Sequence, residues 1–288
     1  MNLFQLIILA IISLSSSIVS TISGGGGGTL VVPAIVATIN EKPSILVGSV
    51  FMLYLAGAVT GLIVYRERGL IDLKSGLILA IPTIPGVIAG TLLENYISRF
   101  QFNLSLGILT TILASMLIIF RKKTQTVQVQ NTDHQIYKAQ DKTTNSTTVS
   151  DKLRRTLKDK SGRVFTYSPR YAIGIAINLC AAFVGGLFGA GAALLIAPTA
   201  ILFVKMPSHV AIATTRVVIV TLDITALLTH IDLGTINFSY ALILSIGGII
   251  GAIIGARIAF SIKPDLLTKL IAIILGLFGL YLVTASIV

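Results

Sequence analysis

The sequence predicts an all-α polytopic membrane protein built as two inverted repeats, each with a glycine-tipped helical hairpin plus three spanning helices. Three observations predict this fold. Apolar runs fill most of the chain, one long polar segment divides it, and the two halves share the spacing of their glycines and prolines. The predicted boundaries are a first membrane repeat over 1–120, a basic cytoplasmic loop over 121–170 and a second membrane repeat over 171–288.

The apolar runs are long enough to cross a bilayer as helices. Hydrophobic residues make up 54% of the chain and charged residues only 11%, where a water-soluble domain carries roughly 25% charged residues. The runs 3–22, 44–65 and 237–259 each exceed the ~18 apolar residues that indicate a spanning helix. Because apolar and polar residues do not alternate with a period of two, the pattern argues against an outer-membrane barrel.

The long polar segment, 121–170, is strongly basic and is therefore predicted to lie in the cytoplasm. It holds 12 Lys and Arg residues against 4 Asp, so it carries +8 of the formal net charge of +11. Within it, 151–160 is predicted to form a short basic helix at the membrane surface. Two interpretations remain for the segment: a site that binds lipid or a partner protein, and a solvated linker whose charges set the topology.

The halves on either side of this segment repeat each other. The stretch "GGGGGTLVVPAIVATINEKPS" from Gly24 lines up with "GAGAALLIAPTAILFVKMPS" from Gly189. Transporters are often built from such internal repeats. Glycines and prolines recur at a constant shift of 165 positions: Gly24, Gly26, Pro33, Gly86 and Gly90 match Gly189, Gly191, Pro198, Gly251 and Gly255.

Charge indicates how the glycine segments cross the membrane. If each glycine segment is the tip of a hairpin, 19 Lys and Arg residues fall inside, and only Lys42 and Arg99 fall outside. If each segment lies within one long span, 15 fall inside and 6 outside. The hairpin arrangement fits the positive-inside rule better. Each half then has five helical segments, an odd number, so the halves are inverted and both termini are extracytoplasmic in the cell (plasma) membrane.

The glycine tips are predicted to form an anion site near the middle of the membrane. The limb after the first glycine run, 29–39, has 11 residues and spans about 17 Å, roughly half of a 30 Å hydrocarbon core. Each limb begins a helix at its tip, and a helix N-terminus offers unpaired N–H groups and a partial positive charge. The candidate substrate-binding residues at the tips are Gly25, Gly26, Gly27, Gly28, Thr29, Gly189, Gly191, Ala192 and Ala193.

Two ionisable residues, Arg216 and Asp223, lie deep in one apolar run. Charged residues inside a membrane span usually mark a functional site. We interpret Arg216 as the residue that draws or holds the anion, with the hydroxyls of Thr214 and Thr215 beside it. Asp223 would then balance or gate the charge. The alternative is that both residues pair structurally with neighbouring helices.

His209 and His230 flank the same span, either as proton carriers or as ordinary interface residues. We take His209, with Asp223, as a candidate for gating or for coupling to a proton or another ion. The chain shows no catalytic triad, metal-ligand cluster or nucleotide fingerprint. The sequence therefore predicts that the protein is not an enzyme, carries no cofactor or metal, and does not bind nucleic acid.

The segments "SGGGGGTLVVPAIVA" and "VGGLFGAGAALLIAPTAIL", the second followed by "PSHVAIATTRVVIV", resemble the two signature segments of the TauE/SafE sulfite exporter family, also called the TSUP family. The resemblance covers nearly all of the chain outside the basic loop. It implies a multi-pass transporter of small sulfur-containing anions such as sulfite, thiosulfate or organosulfonates. The sequence departs from the family in its second glycine segment, "GAGAA", and in its long basic loop.

Two other functions remain open at this point. One is a transporter or channel for a different substrate, such as a carboxylate or a cation coordinated by carbonyl groups at the tips. The other is a membrane scaffold without transport, whose basic loop binds a partner. N–H groups facing a central cavity favour an anion, carbonyl groups favour a cation, and a filled, dry centre favours the scaffold.

Overall fold

The computed structural model describes residues 3–23, 29–67, 69–115, 155–158, 160, 162, 164–258 and 264–287, and within them the chain forms eleven helices and two strands. The first half contributes α1 (Leu3–Ser23), α2 (Val31–Thr38), α3 (Pro43–Glu67), α4 (Leu73–Ala80), α5 (Thr83–Glu94) and α6 (99–115). The second half contributes β1 (Arg155–Lys158), β2 (Val164–Tyr167), α7 (Tyr171–Phe188), α8 (Ala192–Leu202), α9 (Ser208–Asp232), α10 (Phe238–Ile258) and α11 (Pro264–Ile287).

Five helical segments of the described chain are long and apolar enough to cross a membrane. They are Pro43–Glu67, Leu73–Glu94, Tyr171–Phe188, His209–Asp232 and Phe238–Gly255. The predicted helical, multi-pass membrane protein is therefore confirmed. The second of these segments contains a break between α4 and α5, because Pro85 has no N–H group to donate to the carbonyl of Ile81.

Equivalent helices of the two halves keep the shift of 165 positions that the sequence shows. Helices α3 and α9 are each 25 residues long and begin 165 residues apart. The halves also exchange equivalent hydrogen bonds: the backbone N–H of Asp72 donates to Thr214 Oγ1 (3.0 Å), and that of Asn237 donates to Ser49 Oγ (3.1 Å). Asp72 and Asn237 are equivalent positions, as are Ser49 and Thr214. The repeat thus extends from the sequence to the contacts between the halves.

Helices α3 and α9 pack against each other in opposite directions. Gly48, near the start of α3, lies beside His230 near the end of α9. Gly61, near the end of α3, lies beside the side chain of Arg216 in the first half of α9. Two helices that occupy equivalent places in the sequence repeat therefore run antiparallel at the centre of the molecule.

Glycines let α5 approach α7 closely, and α10 approach α1. A methyl carbon on Gly86 of α5 would lie 2.5 Å from the carbonyl oxygen of Leu179 and 3.2 Å from Cβ of Ala182 on α7. Gly251 of α10 faces the carbonyl of Leu14 and Cβ of Ser17 on α1, which are the equivalent atoms of the other half. Small residues commonly allow such close helix packing in membranes. Gly86 and Gly90, which form a Gly-x-x-x-Gly pair, thus serve close packing between α5 and α7.

Strands β1 and β2 form an antiparallel hairpin, in which Arg155 pairs with Tyr167 and Lys158 with Val164. The prediction of a helix over 151–160 is therefore wrong for 155–158. Thr156, Thr166 and Val164 favour an extended chain because they branch at Cβ, and the cross-strand pairs hold it. Residues 121–154, which include the first part of the predicted helix, lie outside the described residues.

The hairpin is joined to the helices through the carboxylate of Asp72, which is buried at the N-cap of α4. Tyr167 donates its hydroxyl hydrogen to Oδ2 of Asp72 (2.6 Å). Ser75 donates its hydroxyl to the same oxygen (2.6 Å) and its backbone N–H to Oδ1 (3.1 Å). Nη1 of Arg155 lies 3.9 Å from Oδ1. The end of the basic loop therefore packs onto the body of the protein.

These contacts favour the ionised form of Asp72. Burial opposes ionisation, but the hydrogen bonds from Ser75 and Tyr167, with the positive charge of Arg155, outweigh it and hold the pKa of Asp72 below its ordinary value. Burial, and the hydrogen bond that it donates to Asp72, raise the pKa of the Tyr167 hydroxyl. Tyr167 therefore remains a hydrogen-bond donor at neutral pH.

We predict that Gly90→Ala lowers the stability of the protein in detergent. The added methyl carbon would lie 2.8 Å from the backbone nitrogen of Leu187 and closer still to the carbonyl oxygen of Phe183, so α5 and α7 must move apart. Overpacking of this kind costs about 1–3 kcal/mol, against a gain in helix propensity of ~1 kcal/mol. Calorimetric melting in one detergent should show the loss. Gly57→Ala is the control, because a methyl carbon there has no neighbour within 4 Å. Unchanged or raised melting of Gly90→Ala would contradict the packing.

We predict that Asp72→Asn destabilises the protein at neutral pH by about 1–3 kcal/mol, the usual effect of hydrogen bonds to a charged group. Because the folded-state pKa of Asp72 lies below its ordinary value, its charge stabilises fully above about pH 4 and less as pH falls through the folded-state pKa. The difference in melting temperature between wild type and variant should therefore be constant above about pH 4 and shrink below it. Asp232→Asn, at an exposed position, is the control and should show no such difference.

Candidate functional site

A cavity of about 820 Å³ lies between the two halves. Helices α1, α3, α9 and α10 form its walls, and the segment that joins α7 to α8 reaches into it. Several residues that the sequence singled out line this cavity: Thr29, Gly189, Gly191, Ala192, Ala193, Arg216 and Asp223. The described residues therefore enclose a cavity, whereas a membrane scaffold without transport would have a filled centre.

The segment between α7 and α8 turns sharply within three residues. Gly189 has φ +59° and Gly191 has φ +90°, which are left-handed conformations that glycine adopts without strain. A methyl carbon on Gly189 would lie 2.7 Å from Cγ1 of Val47, so the segment also packs closely against α3. Helix α8 begins directly after this turn at Ala192, and its first N–H groups have no partner within the helix.

Helix α8 returns toward the side from which α7 came. The backbone N–H of Arg170, just before α7, donates to the carbonyl of Val204, just after α8 (3.1 Å). Gly174 in the first turn of α7 faces the side chain of Val204. Helix α8 has 11 residues, which corresponds to about 16 Å. The glycine turn therefore lies about the length of α8 from the end of the protein at which α7 begins.

The equivalent turn of the first half falls partly outside the described residues, which exclude Gly25, Gly26, Gly27 and Gly28. Thr29 is described, is buried and lines the cavity. Helix α2 follows with 8 residues. At its far end the guanidinium of Arg99 donates to the carbonyls of Val36 (3.3 Å) and Ile39 (3.0 Å). A basic side chain thus satisfies the C-terminal carbonyls of this short helix.

Arg216 provides positive charge on the cavity wall. Its guanidinium carbon lies 5.9 Å from the centroid of the Tyr65 ring on α3, within the range of a cation–π contact. Gly61 is next to it, since a methyl carbon there would lie 3.4 Å from Cδ of Arg216. The side chain is therefore held against α3, with its head at the cavity.

Asp223 provides a buried carboxyl group two helical turns further along α9, about 10 Å along the axis. It is 3% exposed, and no described residue hydrogen-bonds to its Oδ2 atom. Buried polar atoms are nearly always satisfied, so such an atom on a cavity wall indicates contact with water or an ion. The cavity thus carries one basic and one acidic side chain from the same helix.

The cavity uses equivalent faces of α3 and α9. Lining residues at positions related by the shift of 165 are Phe51 and Arg216, Tyr54 and Ile219, Gly57 and Leu222, and Ala58 and Asp223. In each charged pair the first half contributes an apolar residue. The cavity is thus symmetric in backbone but asymmetric in charge.

Three other predicted site residues do not line the cavity. Thr214 is buried, and its Oγ1 accepts the N–H of Asp72. Thr215 is buried too, and its hydroxyl donates to the carbonyl of Ile212 (3.1 Å). His209 is exposed in the first turn of α9. The structure therefore brings the glycine turn, Arg216 and Asp223 together but separates them from these residues.

Sequence reasoning missed the contribution of α3 to the cavity. Tyr54, Gly57, Gly61 and Tyr65 all line it, and they recur every three or four residues on one face of the helix. That spacing was visible in "YLAGAVTGLIVY" but carried no charge to draw attention. Among the described residues, no group of three or more His, Cys, Asp or Glu side chains could hold a metal ion.

Comparison with known proteins gives a result that agrees with this architecture. Residues 8–282 match the model of the family described as Sulfite exporter TauE/SafE. The chain is 27% identical over 284 residues to the probable membrane transporter protein YunE of Bacillus subtilis (strain 168), an alignment that covers 96% of this chain and 97% of that protein. No solved structure matches the chain. The helices, the cavity between the halves and these matches together place the chain in the TauE/SafE family of membrane transporters.

Proposed function

We propose that the protein transports small sulfur-containing anions, namely sulfite, thiosulfate or organosulfonates, through a site at mid-membrane between the two glycine tips. The observation that carries the proposal is the single cavity that both the turn before α8 and Arg216 line. Two independent sources of positive potential, a helix N-terminus and an arginine, then act on one ligand.

The position of α8 favours an anion over a cation. Because α8 begins at the cavity, its N–H groups and the positive end of its dipole face the cavity, while its carbonyls point toward the far end. A cation site built from tip carbonyls would need the opposite polarity. Arg216 adds a fixed positive charge that would repel a cation further.

The size and lining of the cavity suit a small anion with or without an organic group. A volume of about 820 Å³ is within the range of small-molecule sites, roughly 300–1,000 Å³. Phe51, Ile196 and Leu222 give part of the wall an apolar character that matches the carbon skeleton of a sulfonate. A carboxylate would offer similar oxygens to Arg216, so it is a competing ligand in the binding experiment below.

The proposed fold places the halves in opposite orientations across the membrane. The support is that equivalent helices α3 and α9 pack antiparallel, and that α8 ends beside the start of α7. Lys205 follows α8 at the surface where the basic loop joins Arg170, so its charge falls on the same side as that loop. In this topology the 121–170 loop is cytoplasmic, the two repeats are 1–120 and 171–288, and both termini face outward from the cell membrane.

Within the proposed site, Arg216 is assigned to holding the anion and Asp223 to balancing or gating the charge of the anion. The unsatisfied oxygen of Asp223 would become more unfavourable beside an anion, so a proton or cation that enters with the substrate would relieve the repulsion. Gly26 and the other glycines of the first tip are assigned to the site by their equivalence with Gly191.

We predict that Arg216→Ala weakens binding of sulfite or thiosulfate by about 1.5–3 kcal/mol, or about 10- to 150-fold, if the arginine makes a charge-assisted hydrogen bond. Arg216→Lys should recover part of this affinity, since lysine lacks the planar two-pronged geometry. Titration calorimetry on purified protein, with acetate as the competing carboxylate, measures both effects. Arg66→Ala, at the exposed end of α3, is the charge-matched control.

Gly191→Val should abolish binding in the same assay, because the positive φ would be strained and the branched side chain would press on Leu113, whose Cδ1 lies 3.2 Å from an added Cβ, so that the turn must shift. Gly162→Val is the matched control: its φ is +85°, but it lies in the β-hairpin with no neighbour within 4 Å. Wild-type affinity in Gly191→Val would move the site away from the glycine turn. Tighter binding of acetate than of either sulfur anion would favour a carboxylate transporter.

We also predict that reporters at the C-terminus and in the basic loop lie on opposite sides of the membrane. A reporter fused after Val288 should report the extracytoplasmic side, and the same reporter inserted within 121–150 should report the cytoplasm. The reason is that five helical segments in each half, an odd number, place the start and end of each half on opposite sides. Cytoplasmic signals from both positions would rule out inverted halves.

A further inference from the structure

A second pair of ionisable side chains, Glu94 and His230, lies buried outside the residues that line the cavity. Glu94 is 2% exposed and His230 is fully buried, although Glu94 ends α5 and His230 lies two residues before the end of α9. Oε2 of Glu94 lies 3.7 Å from Nε2 of His230. Neither carboxyl oxygen of Glu94 has a hydrogen-bond partner among the described residues, and Nε2 of His230 has none there either.

The hydroxyl oxygen of Thr235 contacts His230 at two atoms, the backbone carbonyl oxygen (3.2 Å) and Nδ1 (2.8 Å). In the tautomer in which the hydroxyl donates its one hydrogen to the carbonyl, its oxygen accepts from Nδ1–H. In the neutral ring, Nε2 then has a lone pair that faces the carboxyl group of Glu94.

In this tautomer, one proton must lie between the two groups. An ionised Glu94 beside a neutral imidazole would place an unpaired negative charge and a lone pair against each other in an apolar interior, which is strongly unfavourable. One proton removes the conflict, either on Glu94 as a neutral carboxyl group or on Nε2 as an imidazolium. The neutral carboxyl group needs no charge separation, so in this buried state the proton belongs on Glu94.

We propose that Glu94 and His230 form a proton-binding site that carries one proton through each transport cycle. The inference rests on the proposed transport function and adds its coupling ion. The step is balanced: the carboxyl group of Glu94 takes up one H⁺ from water when the protein opens to one side of the membrane and releases the same H⁺ to water when it opens to the other side. Nε2 of His230 accepts the proton transiently, which yields an imidazolium–carboxylate pair without change in net charge.

Phe51 connects this pair to the substrate cavity. The ring of Phe51 lines the cavity on one side, and on the other it packs against the His230 ring with centroids 5.5 Å apart at 33°. Tyr54, also at the cavity, meets Phe51 edge-on at 6.0 Å. Movement of Phe51 on substrate binding would therefore change the packing of His230 directly.

Few other titratable groups face the pair among the described residues. Asp223 lies two helical turns before His230 on the same helix and is the nearest acidic group on α9 that is also buried. Tyr54 of α3 lies beyond Phe51. The remaining titratable groups on the surrounding helices are exposed or lie toward the other end: His209, Arg216, Asp232, Cys180, Tyr65, Arg66, Glu67, Lys74 and Tyr171. No described Lys or Arg forms an ion pair with Glu94.

The first test needs neither a variant nor a known substrate. The chain has only three glutamates and three histidines, and Glu94 is the buried one of Glu41, Glu67 and Glu94. Solid-state NMR of protein in lipid, labelled with ¹³C-glutamate and ¹⁵N-histidine, should show one protonated carboxyl group at neutral pH. The same spectra should show one neutral histidine with Nδ1–H. Glu94→Gln should remove the carboxyl signal, while Glu41→Gln should keep it. An ionised Glu94 beside a neutral His230 would overturn the proposal.

The second test separates proton coupling from substrate exchange. Thiosulfate is the probe because it binds no proton itself near neutral pH, and its radiolabelled exchange is measured in proteoliposomes with and without a pH gradient. Glu94→Gln should retain exchange at equal pH but lose acceleration by the gradient, so that the stimulation factor falls to one. Glu41→Gln should respond as wild type does.

The outcomes of the two tests are distinguishable. A Glu94→Gln protein that still responds fully to the gradient overturns the coupling role of the pair. Absence of thiosulfate and sulfite exchange in the wild type overturns the proposed transport function, and with it the carrier role. The NMR result decides in either case whether the pair binds a proton.

Discussion

The structure depends on one constraint: backbone N–H groups at membrane depth must have partners, yet α8 begins inside the apolar body of the protein. The chain meets this constraint by making the turn from glycines in left-handed conformations and by placing it on a cavity instead of in lipid. Polar backbone at that depth needs a polar occupant. The constraint that makes such a turn unfavourable in lipid therefore supports the proposal that the turn contacts an anion.

The cavity exists because the helices around it are held by close contacts elsewhere. Gly86 and Gly251 bring α5 against α7 and α10 against α1 through equivalent atoms in the two halves. These rigid contacts leave the antiparallel α3 and α9 to form the wall between them. Equivalent lining positions then differ in chemistry, since Phe51 and Ala58 of α3 occupy the positions that Arg216 and Asp223 occupy in α9. At these positions the first repeat contributes apolar side chains and the second contributes ionisable ones.

Two buried carboxylates illustrate how differently a charge can be stabilised in this protein. Asp72 receives hydrogen bonds from Ser75 and Tyr167, and the charge of Arg155 is near, so it remains ionised and anchors the β-hairpin. Glu94 receives none of these from the described residues and faces only His230. The first environment holds a fixed charge, whereas the second holds a proton that can leave.

The sequence by itself determined the features that depend on local composition and periodicity. Apolar runs predicted the spans, the shift of 165 predicted the matching of α3 with α9, and a charged residue in an apolar run singled out Arg216. Sequence reasoning did not find the strands at 155–158 and 164–167: residues that branch at Cβ favour an extended chain there, but only the cross-strand pairing and the contact of Tyr167 with Asp72 select the hairpin over a short helix. It also could not pair Glu94 with His230, because 136 positions separate them and only the packing of α5 against α9 brings them together. Local patterns fix which segments enter the membrane, but the environment of a titratable group depends on which helices meet, and that was decided by tertiary packing alone.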